Sequence, residues 1–88
     1  MKGICGNEKA SDALVSVDLD VTGISIEIKS KLKKMFGNYM EKAVRESLNE
    51  LNIENASVIV EDFGALDFVI KGRTKTAIER ALKNGGKN

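Results

Sequence analysis

Between residues 31 and 51 the small and apolar side chains fall at Leu32, Met35, Phe36, Tyr39, Met40, Ala43, Val44, Ser47, Leu48 and Leu51. This i, i+3, i+4, i+7 spacing places them on one face of a long amphipathic helix. Such a helix does not stand alone. Fixing its backbone costs ~1–2 kcal/mol per residue, and a stripe side chain contributes ~1.5–3 kcal/mol only when something covers it. The chain must supply that cover. Ser30 stands where an N-cap belongs, and Lys42 lies four before Glu46 on the outer face, a weak favourable pair.

The cover is written on either side of the helix in period-two runs. Over residues 13–21, Val15, Val17, Leu19 and Val21 alternate with Ser16, Asp18 and Asp20, the pattern of a half-buried strand. Thr22-Gly23 marks a turn, and Ile24, Ile26 and Ile28 alternate with Ser25, Glu27 and Lys29 in a second strand. The short gap suggests a hairpin. After Asn52-Ile53-Glu54-Asn55 ends the helix, Ala56, Val58 and Val60 open a third strand. Glu61-Asp62-Phe63-Gly64 reads as a tight turn, with Gly64 free to take a positive φ. Leu66, Phe68 and Ile70 alternate as a fourth strand closed by Gly72. Residues 74–83 read as a short helix, with Ala77, Ile78, Ala81 and Leu82 on one face and Glu79 four before Lys83. Residues 1–12, broken by glycines and Asn7, read as a flexible lead, and 84–88 as a frayed tail. The expected fold class is α+β: one domain over residues 1–88, a two-layer β-β-α-β-β-α arrangement with helices packed on one face of a mostly antiparallel four-stranded sheet.

The residue types narrow the chemistry. The chain has no His, which excludes a His general base, a Ser-His-Asp triad and a His-ligated metal. A single Cys excludes an internal disulfide and a Cys-rich zinc site. Fourteen basic against thirteen acidic side chains give a net charge of +1, which argues against a nucleic-acid clamp. No apolar run approaches the ~20 residues of a membrane span. A cytoplasmic setting without a membrane or nucleic-acid partner is the expectation.

Few motifs remain. Asp62-Phe63-Gly64 matches the metal-binding triplet of protein kinases, but 88 residues cannot hold the loops that triplet serves, so a β-turn is the reading. Lys29, Lys31, Lys33 and Lys34 gather at the start of the long helix, where cations oppose the helix dipole. They make either a patch for phosphates or an acidic partner, or a solvated face. Cys5 has no His beside it and reads as incidental. Asp18, Asp20, Glu61, Asp62 and Asp67 show no spacing that converges on a cleft and read as surface. Ser11-Asp12 places a hydroxyl in a glycine-containing segment before the first strand, within reach of a modifying enzyme; on local pattern alone an ordinary loop serine capped by Asp is the favoured reading.

Taken together, Val58-Ile59-Val60-Glu61-Asp62-Phe63-Gly64-Ala65-Leu66-Asp67, then Val69-Ile70 and Arg73, with Met35-Phe36-Gly37 and Ile24-Ser25-Ile26-Glu27-Ile28, resemble the acyl carrier protein (gamma subunit) family of citrate lyase. The resemblance runs from about Gly6 to Ala81. Carriers of malonate decarboxylase and citramalate lyase are close variants, whereas fatty-acid carriers are helical bundles with an Asp-Ser-Leu motif. What it implies is a carrier rather than an enzyme. A serine near the N-terminus would bear a phosphodiester-linked 2'-(5''-phosphoribosyl)-3'-dephospho-coenzyme A, loaded by a prosthetic-group transferase. Acetyl and citryl thioesters on that group would pass between the alpha (transferase) and beta (lyase) subunits. The family segment reads Gly-Thr-Leu-Glu-Ser-Ser/Gly-Asp, and here Gly6-Asn7-Glu8-Lys9-Ala10-Ser11-Asp12 stands in its place. Ala10 occupies the usual attachment position, so the resemblance puts attachment on Ser11, the nearest hydroxyl, with Ser16 or an unloaded chain as alternatives. Beside it stands a different class of function: a non-enzymatic interaction module working through the lysine patch and the sheet.

Overall fold

The computed structural model describes residues 1–85. Its elements run β1 (Lys2–Gly6), β2 (Ala13–Asp18), β3 (Ile24–Lys29), α1 (Lys33–Glu50), β4 (Ala56–Asp62) and α2 (Asp67–Gly85). The strands form one sheet in the order β1-β2-β4-β3. β1 and β4 lie antiparallel to β2 on either side of it, and β3 pairs parallel to β4. The α+β class holds, with a mixed sheet and both helices on one face.

Alternation decides which face is covered. Ala13, Val15 and Val17 of β2 and Ala56, Val58 and Val60 of β4 are buried, together with Cys5 and Ile28 from the outer strands. Met40, Ala43, Val44 and Leu48 of α1 and Ile70, Ala77, Ile78 and Ala81 of α2 close over them. Buried hydroxyls on the helices are satisfied. Ser47 Oγ donates to the Ala43 carbonyl at 2.8 Å and lies 3.2 Å from the Lys71 carbonyl, joining α1 to α2. On the opposite face the rows Lys2–Asp18–Ser57–Ser25, Ile4–Ser16–Ile59–Glu27 and Gly6–Leu14–Glu61–Lys29 lie across the strands.

Four expectations are corrected. First, the lead is not irregular. Residues 2–6 form β1, Cys5 is in the core, and Gly3 lies directly beneath α2. A Cβ at Gly3 would fall 2.0 Å from the Ala77 carbonyl oxygen, so only glycine lets the helix come so close. Arg80 Nη1 and Asn84 Nδ2 of α2 donate to the outward carbonyls of Ile4 and Lys2, each at 2.8 Å, which covers the sheet edge.

Second, β2 and β3 do not form a hairpin. β4 is inserted between them, antiparallel to β2 and parallel to β3. β2 also ends at Asp18, ahead of Leu19 and Val21.

Third, the fourth strand is absent: residues 67–73 are the opening of α2. Ile70, Thr74, Ala77, Ile78 and Ala81 follow helical spacing and are all buried, while Leu66 and Phe68 stay exposed. The element order is therefore β-β-β-α-β-α. Of the expected tail, Asn84 and Gly85 belong to α2, and 86–88 lie outside the described residues.

Fourth, the helix-surface pairing differs. Glu46 faces Lys71 of α2 at 3.7 Å, and the i,i+4 pair on α1 is Glu41–Arg45 at 2.9 Å.

Candidate functional site

The β1–β2 connection, residues 7–12, carries Ser11 at one end of the sheet. It is a braced loop. The Ser11 N–H donates to the Phe63 carbonyl at 2.7 Å and the Phe63 N–H to the Asp12 carbonyl at 2.9 Å, prolonging the β2–β4 ladder by one step. The Asp12 N–H donates to the Lys9 carbonyl, and Asn7 Oδ1 accepts from the Lys9 N–H at 2.9 Å. This geometry holds Ser11 at φ 66°, in the left-handed region. The Ser11 side chain is exposed, and among the described residues its hydroxyl has no hydrogen-bond partner. Ala10 beside it is also exposed and offers no hydroxyl. Ser16 sits inside β2, half-buried, between Ile4 and Ile59 on the open sheet face.

Asp12 anchors the loop. Arg73 of α2 grips both carboxylate oxygens, Nε to Oδ1 at 3.0 Å and Nη2 to Oδ2 at 2.8 Å. Asn7 Nδ2 donates to Oδ2 at 2.8 Å, and the Ala13 N–H to Oδ1 at 2.7 Å. A bidentate guanidinium–carboxylate pair fixes direction as well as distance. The Arg73 hydrogen bond, with the Ala13 N–H second, holds the Asp12 carboxyl below its ordinary range. Arg73 Nη1 also comes within 4.0 Å of Cys5 Sγ, so that thiol is a packing group beneath the clamp. Sequence reasoning missed the clamp, since its partners lie 61 residues apart.

The Asp62–Gly64 turn forms the neighbouring wall. Gly64 takes φ 96°, as expected, and a Cβ there would lie 3.8 Å from the Ser11 nitrogen. Asp62, read as surface from sequence, is buried. It accepts from the Ser30 hydroxyl at 2.8 Å and the Ala65 N–H at 2.9 Å, so it ties the start of α1 to the turn. Ser30 does not cap α1. Its Oγ accepts from the Leu32 N–H at 3.0 Å, two residues ahead of the cap position, and the helix begins at Lys33 without a side-chain cap.

Beside the loop lies an open cleft of about 810 Å³ lined by Glu8, Ala10, Lys29, Lys31, Phe63 and Gly64, among others. The lysine cluster thus borders the Ser11 loop. Among the described residues none of Lys29, Lys31, Lys33 and Lys34 is in an ion pair, and no group of three or more acidic or Cys side chains is placed to hold a metal.

Ser11 thus presents an exposed hydroxyl on a loop braced through Asp12 and Arg73. Comparison with known proteins bears on this. Residues 1–81 match the family model described as Malonate decarboxylase delta subunit (MdcD). The chain is 40% identical over 78 residues to the citrate lyase acyl carrier protein of Halothermothrix orenii, covering 89% of this chain and 83% of that one.

The chain belongs to the citrate lyase acyl carrier protein family.

The carrier of Streptococcus mutans is 42% identical over 81 residues (91% of this chain, 79% of that one), and that of Escherichia fergusonii 38% over 81 (91% and 84%). Among the described residues of this acyl carrier, no helix is long and apolar enough to cross a membrane.

Proposed function

We propose that this chain is the acyl carrier subunit of a citrate lyase, bearing a 2'-(5''-phosphoribosyl)-3'-dephospho-coenzyme A on Ser11. The observation that carries the reading is the exposed, unpartnered Ser11 hydroxyl at the tip of a loop clamped by Asp12 and Arg73. The residues present fit such a group: a hydroxyl open to solvent for the phosphodiester, and the cationic side chains Lys29 and Lys31 across the adjoining cleft. When attached, the group supplies the thiol that bears the acyl chain, which the protein's own side chains do not. The protein's part is to hold the loop in one direction, leave the hydroxyl uncovered and keep the tether close to partner sites, at ~mM effective concentration for a short linker. The carrier itself is non-catalytic. Its partners are the alpha (transferase) and beta (lyase) subunits and the prosthetic-group transferase, in the cytoplasm. Ser16 is the weaker candidate because its backbone is inside the ladder and its side chain is half-buried.

Intact-mass analysis of the chain co-expressed with the prosthetic-group transferase tests the reading. One added group, mapped by fragmentation to Ser11 and lost in Ser11→Ala, is the expected result. A chain that stays unmodified where a known carrier is loaded overturns it, and loading that survives Ser11→Ala moves the site.

A further inference from the structure

The stripe of α1 is only half used by the core. From Met40 onward it is buried, but Leu32, Phe36 and Tyr39 are 41%, 40% and 64% exposed. Across from them Leu66, just before α2, is 62% exposed. These four side chains, floored by Met40 and Ile70, wall a cleft of about 330 Å³. Phe36 and Tyr39 stand with ring centroids 6.5 Å apart. A contiguous apolar surface of this kind marks an interaction site more often than scattered exposed residues do. Gly64 lines both this cleft and the lysine-bordered one, and it abuts Ser11. The apolar walls, the free lysines and the loop hydroxyl therefore share one end of the molecule.

The geometry points to this cleft as the docking surface for a protein partner that presents an apolar projection flanked by carboxylates. The inference rests on the carrier reading: a group held on Ser11 must be handed to another subunit, so the surface that meets that subunit borders the loop. Charge selects the occupant. Lys31, Lys33 and Lys34, at the start of α1, are exposed and, among the described residues, without an ion-pair partner, which complements carboxylates on that side of the cleft, while the cleft's own lining carries Asp62 and the exposed Asp67 on the other. A second copy meeting this patch about a two-fold axis would bring like-charged lysine edges together. The tethered group itself is poorly matched. Walls as exposed as Tyr39 and Leu66 do not enclose a small ligand, which in a built pocket has ~70–90% of its surface buried.

The test uses the loaded full-length chain with purified alpha and beta subunits from the same host. Tyr39→Ser/Leu66→Ser alters only exposed side chains, so its circular dichroism and thermal midpoint serve as the folding check. Its dissociation constant for at least one subunit should rise about tenfold or more. Lys31→Glu/Lys33→Glu should weaken the same complex, and the wild-type affinity should fall as salt rises. Affinity unchanged in both variants overturns the inference. So does loss of self-association in the ultracentrifuge with subunit affinity unchanged, which assigns the cleft to a second copy. Protection of residues 64–66 from hydrogen exchange on loading alone, without any subunit, also overturns it and assigns the cleft to the tethered group. Failure of the wild-type chain to be loaded at all defeats the carrier reading instead, and the mass measurement separates the two.

Discussion

Ser11 does two things that pull against each other. It offers a hydroxyl, and it occupies a backbone conformation that a residue with a Cβ adopts at a cost of ~1–2 kcal/mol. Glycine would relieve that cost and give back ~0.5–1 kcal/mol through its freer unfolded state. Ser11→Gly should therefore raise stability by ~0.5–1 kcal/mol in urea unfolding, whereas Ser11→Ala should leave it nearly unchanged; both should abolish loading. The strain is kept, on this view, for the hydroxyl. Asp12 sets the pH range over which the loop is braced. Its carboxyl is lowered in the folded chain, chiefly by Arg73. Its contribution is present above the unfolded value of ~3.9 and is lost as pH falls through the lower folded value. Amide exchange at residues 8–12, taken relative to the intrinsic rate at each pH, should rise on acidification below about pH 4. In Arg73→Gln it should already be fast at neutral pH, with the core protection of Val58 and Val60 retained. The Ser11 hydroxyl and Asp12 were legible in the sequence as an accessible pair. What held them was not, because a side-chain contact across 61 residues leaves no local pattern.

At the scale of elements, legibility followed how each segment meets the core. The α1 stripe from Met40 onward and the alternations in β2 and β4 are periodic because one face of each is buried, whereas the inward face of β3 is buried only at Ile28, with Ile26 partly buried and Ile24 exposed. β1 escaped because its key inward residue, Gly3, acts by lacking a side chain. Residues 66–70 alternate like a strand, but only Ile70 enters the core, and it does so in register with Thr74, Ala77, Ile78 and Ala81. Gly72, read as a strand end, lies instead on the exposed side of α2, where an added Cβ would meet nothing within 4 Å. Gly72→Ala should stabilise the chain by ~0.5–1 kcal/mol through helix propensity and a less free unfolded state. An unchanged or lower denaturation midpoint would count against a helix through residue 72. The hairpin expectation failed for a different reason: nearness in sequence says nothing about a later strand coming between.

The molecule as a whole is held by its helix pair as well as by its sheet. Glu50, at the end of α1, is gripped by Lys71 and Lys75 of α2. The Lys71 hydrogen bond first, and then that of Lys75, bring the Glu50 carboxyl from 4.5 down to about 2. A lowered carboxyl contributes stability above its unfolded value, and that contribution fades as pH falls from about 4.5 through about 2. Glu50→Gln should flatten the fall in unfolding free energy over that window, measured by urea titrations at stepped pH. An identical slope in variant and parent would show that the ion pairs do not tie the helices.

The seam between β1 and α2 also sets an order of events during synthesis. Residues 2–6 leave the ribosome well before α2, yet their outward carbonyls are met by Arg80 and Asn84, and Gly3 is covered by Ala77 and Ala81. At ~5–20 residues per second the strand waits about 4–15 s for its cover. Arg73 reaches Asp12 in the same late interval. The serine loop therefore takes its braced shape only after Arg73 of α2 has been made, and on the proposed carrier reading a modifying enzyme that recognises that shape should pass over shorter nascent chains.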